Sequence, residues 1–479
     1  MEQLTLSLFV LVLVASTAMI AVALVWRERF FHYPALAAML VAGYYLPQAR
    51  ALLDDSTIDQ SAFALTLFII LVTLIAIEAG WQAAVSHRRN ISSRDHVTNA
   101  KVIDVVFIGI LLLAIVGIDA NYKLRDLPEY LLRQTQWSGP PTIYAFFTRL
   151  NYMVFGISLA AFFRSRRIGF LLLVAATTAS FVDIIVFGGR REPLAFVFLA
   201  VVLSLFFAYR WLPPRIVLLS ATVVGVLFVN STGAYRAATG TANFLFEPLN
   251  WERFLDDLGR IRWVENVVNK APPEVYDLRN AVELIGGTRV PQDLGFGTAY
   301  WNRLVFGFVP AQLLGREFKE GLMLERGDLR KSIEYYTPRA GSVWSGFADS
   351  YREFALFGPL VFAMISWFLG WVYVRALAGD ILAQGTYAWL VTKGLIAISH
   401  QSSNFLYSLV YAAVFLGPIV FVSKTLMRNR ERMCLRRVPK RRGICSRKVH
   451  RIKEGARGGY DWRAARRKAM RGDGAPRLA

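Results

Sequence analysis

Long apolar runs, separated mostly by short polar turns, dominate this chain. The hydrocarbon core of a bilayer is about 30 Å thick, so a helix that crosses it needs about 20 mostly apolar residues. Eleven stretches meet that need, at roughly 4–25, 34–53, 61–84, 102–120, 142–163, 168–187, 193–209, 213–231, 354–374, 382–398 and 405–427. Pro47 and Gln48 interrupt the second. The first lacks the positive n-region and small-residue cleavage site of a secretory signal, and reads as a retained helix. The pattern predicts an all-α polytopic integral membrane protein in four parts. Residues 1–231 hold helices 1–8, residues 232–353 form a large external loop, residues 354–427 hold helices 9–11, and residues 428–479 form a basic tail. No internal repeat is visible.

Composition strengthens this reading. Hydrophobic residues make up 55% of the 479 and charged residues only 19%, against about 45–50% and 25% in soluble proteins. A soluble enzyme, a disordered chain and a disulfide-rich scaffold are excluded as whole-chain readings. The net charge of +21 suggests nucleic acid until it is located. From Lys424 onward there are 20 Lys/Arg against 4 Asp/Glu, leaving 35 and 30 for the rest. A basic tail beside an apolar helix faces the cytoplasm and touches anionic lipid; RNA contact is the alternative. Cys434 and Cys445 both lie in this tail, at a spacing that fits no metal motif.

Eleven crossings with a cytoplasmic tail put the N-terminus outside and fix every other loop. The short cytoplasmic loops then carry twelve Lys/Arg, among them Arg27, Arg88, Arg164 and Arg210, and the short external loops carry five: Lys123, Arg125, Arg133, Arg190 and Arg191. That asymmetry agrees with the positive-inside rule. The large loop has too many aromatics to be read as disordered, and shows helical pieces such as 252–270. Its apolar run Leu304 to Leu314 is too short to span, and suits an interfacial or re-entrant helix.

Several charges stand where a membrane makes them costly. Arg190 and Arg191 occupy a tight external turn, Phe187-Gly188-Gly189-Arg190-Arg191-Glu192-Pro193, against the positive-inside bias. Either they snorkel to headgroups or pair with Glu192, or they form a fixed anion site. Guanidinium forks fit phosphate oxygens bidentately, which suits a diphosphate. Arg236 follows the eighth span directly and is placed to join them, or to anchor the interface with Tyr235. Arg352 and Glu353 precede the ninth span, as an ion pair or as part of the same cluster. His400, in the external turn Ser399-His400-Gln401-Ser402-Ser403-Asn404, is a candidate base or simply a polar loop residue. Asp54 and Asp55 are a solvated turn or a metal-holding carboxylate pair. No P-loop, dinucleotide fingerprint, nucleophile elbow or zinc spacing is present, so no cofactor is expected.

The order of these features resembles the O-antigen polymerase family, the Wzy-type polymerases of oligosaccharide repeat units. The resemblance covers about residues 180–375. It rests on the Gly-Gly-Arg-Arg turn at 188–191, on Tyr235-Arg236 after the next span, and on Phe308-Val309-Pro310 with Lys319 downstream. It rests also on Gly341-Ser342…Gly346…Tyr351…Phe357-Gly358-Pro359…Gly370, leaving the loop for a glycine-containing helix. It implies a metal-independent GT-C-type glycosyltransferase on the outer face of a bacterial inner membrane. The enzyme would join polyprenyl-diphosphate-linked oligosaccharides, with membrane lipids, a chain-length regulator and a flippase as further partners and no nucleic acid. On that reading Arg190, Arg191, Arg236 and Arg352 hold the diphosphate, His400 and Glu353 are catalytic, and loop aromatics such as Tyr300, Trp301 and Trp344 face sugar rings or pack the loop. A ligase, a metal-dependent sugar transferase using Asp54 and Asp55, and a transporter or flippase remain open alternatives.

Overall fold

The computed structural model describes residues 1–86, 100–127, 139–186, 190–239, 256, 258–265, 277–288, 294–324 and 342–437. Among these, ordered structure is helical and no strand is present. The apolar segments form α1 (Glu2–Val25), the pair α2 (Tyr33–Leu40) and α3 (Leu46–Leu53), α4 (Gln60–Ser86) and α5 (Ala100–Arg125). They continue as α6 (Pro140–Thr148) with α7 (Leu150–Ser165), α8 (Ile168–Val186), α9 (Arg191–Tyr209) and α10 (Arg215–Thr239). The loop contributes α11 (Asp277–Gly287), α12 (Thr298–Phe308), α13 (Ala311–Leu314), α14 (Arg316–Gly321) and α15 (Gly346–Phe354). Three more close the described fold: α16 (Gly358–Leu377), α17 (Ile381–Ser399) and α18 (Ser403–Arg437). Most of 252–270 and the tail from 438 lie outside the described residues.

Eight helices among the described residues are long and apolar enough to cross a membrane, consistent with a polytopic membrane protein. Ile168–Val182 and Arg215–Leu227 are apolar but shorter, and the segment 33–53 is two helices joined by a π-turn, Val41–Tyr45. Eleven crossings require these three to span as well.

That π-turn follows from Pro47. Proline has no N–H, so the carbonyl of Gly43, four residues earlier, loses its helical donor. In hydrocarbon an unsatisfied carbonyl must find a partner inside the protein. Asn230 on α10 supplies it, donating from Nδ2 to the Gly43 carbonyl at 2.8 Å. The turn in exchange throws two tyrosines sideways. Tyr45 donates to the Ile398 carbonyl at 3.1 Å, and Tyr44 to the carboxylate of Asp277.

Small residues set the close helix contacts. A Cβ added to Gly80 on α4 would sit 2.1 Å from the Ala363 carbonyl oxygen on α16. Nearby, Ser366 donates to the Ile77 carbonyl at 2.6 Å. On the other side, a Cβ on Gly385 of α17 would lie 2.4 Å from the Cα of Ile157 on α7. Where lipid and side chains are equally apolar, such backbone approach and interhelical hydrogen bonding drive association.

Hydrogen bonds identify two ends of the bundle. At one, Arg215 donates to the Leu24 carbonyl, Arg210 to that of Leu377 and Tyr209 to that of Phe163; this is the basic end. At the other, α11, α12 and α15 pack over α3, α4, α17 and α18; this is the loop end. α15 is the keystone there. Eight of its residues, Gly346 to Glu353, are buried, and Gly346 presses so closely on α17 that a Cβ would meet the Ala397 carbonyl oxygen at 1.6 Å.

Candidate anion-binding site at the loop end

The turn that carries Arg190 and Arg191 opens α9. Arg190 is the N-cap and Arg191 the first helical residue, so both sit on the positive end of the helix dipole. Gly188 and Gly189 lie outside the described residues. Arg190 is exposed. The guanidinium of Arg191 lies 5.3 Å from the ring centroid of Tyr44, a cation–π distance. Glu192 does not neutralise its arginine neighbours. It pairs with Lys393, which reaches it from α17 and also lies 5.3 Å from the ring of Tyr152.

His400 ends α17, with Nδ1 2.9 Å from the Ser399 hydroxyl. The residue reaches solvent, while neighbouring protein crowds the imidazole. That burial lowers its pKa below the ordinary histidine value; Asp277 and Glu192 pull it up, and Arg191 and Lys393 push it down. The imidazole is therefore neutral at pH 7 and free to accept a proton. The same balance of charges shows that Asp277, Glu192, Arg191, Lys393 and His400 share one electrostatic neighbourhood. Asp277 reaches it from the first turn of α11, held by Tyr44 and by the backbone N–H of Val343 at 2.9 Å.

The fold thus brings Arg191 near His400, which the sequence places 209 residues beyond Arg191. Arg236 lies in the last turns of α10, and its side chain lies outside the described residues. Arg352 and Glu353, expected to face substrate, are 2% and 0% exposed. The carboxylate of Glu353 accepts from the backbone N–H of Gly297 at 2.9 Å and Ala299 at 3.2 Å, which caps the first turn of α12. The Arg352 carbonyl accepts from Gly295 N–H at 3.0 Å. Glu353 and the Arg352 backbone thereby position a loop helix, and α15 turns both side chains into the interior. Asp349 works in the same way: it accepts from the N–H and hydroxyl of Ser402 at 3.0 and 2.7 Å, which anchors the turn that carries His400.

The other sequence candidates are committed to protein partners. Asp54 pairs with Arg50 at 2.9 Å and Asp55 with Arg279 at 3.2 Å. No group of three or more His, Cys, Asp or Glu suited to a metal occurs among the described residues. Tyr300 packs at a tilt against Phe354, ring centroids 5.7 Å apart, and bonds Ser402. Trp301 is half exposed. A cavity of about 480 Å³ lies elsewhere, toward the basic end, between α5, α16, α17 and α18. Its lining is overwhelmingly apolar, with Arg375, Asp380 and Lys424 the charged exceptions, so it suits acyl chains better than chemistry.

Sequence reasoning missed Tyr44, Lys393 and Asp277. Lys393 was visible in principle, as a lysine inside the apolar segment 382–398. Tyr44 and Asp277 carried no local signal, because their roles arise from a π-turn and a loop helix that meet only in three dimensions. No family model, curated protein or solved structure matches the chain.

Proposed function

We propose that this protein is a membrane glycosyltransferase of the O-antigen polymerase type. It joins polyprenyl-diphosphate-linked oligosaccharide repeat units at the outer face of a bacterial inner membrane. The reading takes all eleven apolar segments as crossings, with the tail in the cytoplasm and the loop end outward. The gathering of Arg27, Arg164, Arg166, Arg210, Arg215 and Arg375 in the loops of the opposite end agrees with that orientation.

One observation carries the chemistry: Arg191 and His400 meet in a single neighbourhood, with Glu192 already matched by Lys393. With Arg191 set against Asp277 across Tyr44, the exposed Arg190 is the cationic excess beside a neutral base. In the proposed reaction the acceptor sugar hydroxyl attacks the anomeric carbon of the donor. The new carbon–oxygen bond forms, the bond from that carbon to the diphosphate oxygen breaks, and the electron pair leaves on the polyprenyl diphosphate. His400 takes the hydroxyl proton. Arg190 and Arg191 face the developing negative charge, where fixed donors do most to lower a barrier. A diphosphate stabilised in this way needs no protonation to depart.

Purified protein, supplied with a defined polyprenyl-diphosphate oligosaccharide and analysed by product size, tests the reading. A ladder of products at repeat-unit spacing is expected. A single transferred product would make the protein a ligase, and no glycosidic product would remove the enzymatic reading.

A further inference from the structure

A second set of cations at the loop end remains outside the reaction just described. Arg149 stands at the break between α6 and α7, where Tyr411 donates to the Phe146 carbonyl at 2.8 Å. Arg303 projects from α12, the helix whose first turn Glu353 caps. Both guanidiniums converge on one aromatic ring of α18: Arg149 lies 4.7 Å and Arg303 5.6 Å from the centroid of Tyr407.

Two like charges on one ring repel, and the usual remedy is a carboxylate in direct contact. Asp349 and Glu192 act on Arg303 and Arg149 through their charge alone. Among the described residues neither Arg149 nor Arg303 forms an ion pair with Asp or Glu; the fixed acceptor for Arg303 is the neutral Asn404 Oδ1, at 2.9 Å from its NH2. The Nε of Arg303 is buried and has no hydrogen-bond partner. Buried donors are almost always satisfied, so an orphan guanidinium nitrogen beside a second guanidinium marks the place of an absent anion. Burial and the neighbouring Arg149 lower the pKa of Arg303, with Tyr407 and Asp349 offsetting part of their effect. The site is also built. Glu353 fixes α12 from below, and a Cβ on Gly307 would lie 2.1 Å from the Tyr407 ring, so α12 seats directly on α18.

We infer that Arg149 and Arg303, stacked on Tyr407, form a second phosphate-binding cradle, separate from the Arg190–Arg191 pair. The fork geometry and double charge select phosphoryl oxygens. The surroundings point to a phosphate presented at a membrane surface: Trp301, Phe306, Leu313, Leu314 and Phe318, on α12 to α14, are all exposed apolar side chains, as on an interfacial helix. The two sites are neighbours, since Arg149 as well as Lys393 and His400 acts on Glu192, and Arg190 as well as Arg149 acts on Tyr152. The inference does not depend on glycosyl transfer.

Binding is measured on the purified full-length protein with two probes. One is inorganic pyrophosphate, followed by calorimetry. The other is dioleoyl phosphatidic acid in nanodiscs against pure phosphatidylcholine nanodiscs, followed by retained lipid in native mass spectrometry. The Arg190→Ala/Arg191→Ala variant keeps a binding event for at least one probe. Arg149→Ala/Arg303→Ala weakens that event at least tenfold, and Arg149→Lys/Arg303→Lys restores part of it. Retention of phosphatidic acid alone identifies a lipid headgroup as the source; binding of pyrophosphate alone identifies a free diphosphate. Should the alanine variants fail to fold, the wild type still decides: either probe must protect the Arg303 peptide from phenylglyoxal. Unprotected Arg303, unchanged binding in the Arg149/Arg303 variants, or loss of all binding in the Arg190/Arg191 variant overturns the inference. None of these outcomes turns on whether the protein polymerises sugars.

Discussion

At the scale of the residue, His400 decides how the site titrates. Its lowered pKa, caused first by burial, means that the folded protein binds its proton less readily than the unfolded chain does. Between the folded and unfolded pKa values the unfolded state holds more protons, so this group's contribution to stability rises with pH and is lost as pH falls through the window below about 6.5. The acid limb of kcat/KM is accordingly expected at a midpoint below the ordinary histidine value, and His400→Gln removes that limb along with most of the rate. A profile from His400→Gln that keeps the same limb would assign it to another group. Arg190 and Arg191 stood out in the sequence as charges in a tight turn between two apolar segments, and His400 as a titratable residue in a short polar turn. Arg149 and Lys393 carried the same signal, standing inside the apolar segments 142–163 and 382–398. Arg303 carried none: a loop arginine looks ordinary until Arg149 is found on the other side of Tyr407. Arg352 and Glu353 are a different case. Adjacent opposite charges before a span resemble a site, but residue type alone does not reveal which way a short helix such as α15 faces.

At the scale of the element, the broken helix α2–α3 and the capped helix α12 explain how the site is held. The interruption at Pro47 was visible in the sequence; its remedy was not, since Asn230 lies 183 residues away from Pro47. Asn230→Leu is expected to leave the Gly43 carbonyl unsatisfied in an apolar surrounding, at a cost of about 1–3 kcal/mol, read as a lower Tm in detergent. Pro47→Ala in the same background supplies a backbone N–H that can take the Gly43 carbonyl, and should recover part of the loss. Equal destabilisation with or without Pro47→Ala would mean that Asn230 acts through its other contact, the Val226 carbonyl at 2.9 Å. The loop elements follow a similar logic. α15 is buried, and its carboxylates face inward because they tie down two pieces that carry charge: Asp349 the turn of His400, and Glu353 the helix of Arg303. The apolar run 304–314 was expected to form an interfacial or re-entrant helix; it lies in α12 and α13, with Phe306, Leu313 and Leu314 exposed.

At the scale of the whole molecule, positive charge gathers at both ends of the bundle, and at both it lies on aromatic rings: Arg375 on Trp371 and Arg210 on Phe206 at the basic end, Arg191 on Tyr44 and Arg149 with Arg303 on Tyr407 at the loop end. At the basic end Arg210 and Arg215 also bond carbonyls at helix ends. Hydrophobic periodicity was enough to read the all-helical architecture, because a spanning helix announces itself locally. It was not enough to read the site, which is assembled from α6–α7, α9, α11, α12, α17 and α18 by contacts far apart in sequence. The central claim is that the Arg190–Arg191 pair receives a lipid diphosphate as it departs. Its most direct measurement counts polyprenyl diphosphate released against glycosidic bonds formed, in a single turnover of purified protein. The account predicts one released for each bond in the wild type, and both falling together by about 10²-fold or more in Arg190→Ala/Arg191→Ala. Undiminished bond formation in that variant, or sugar transfer without release of the lipid diphosphate, would contradict it.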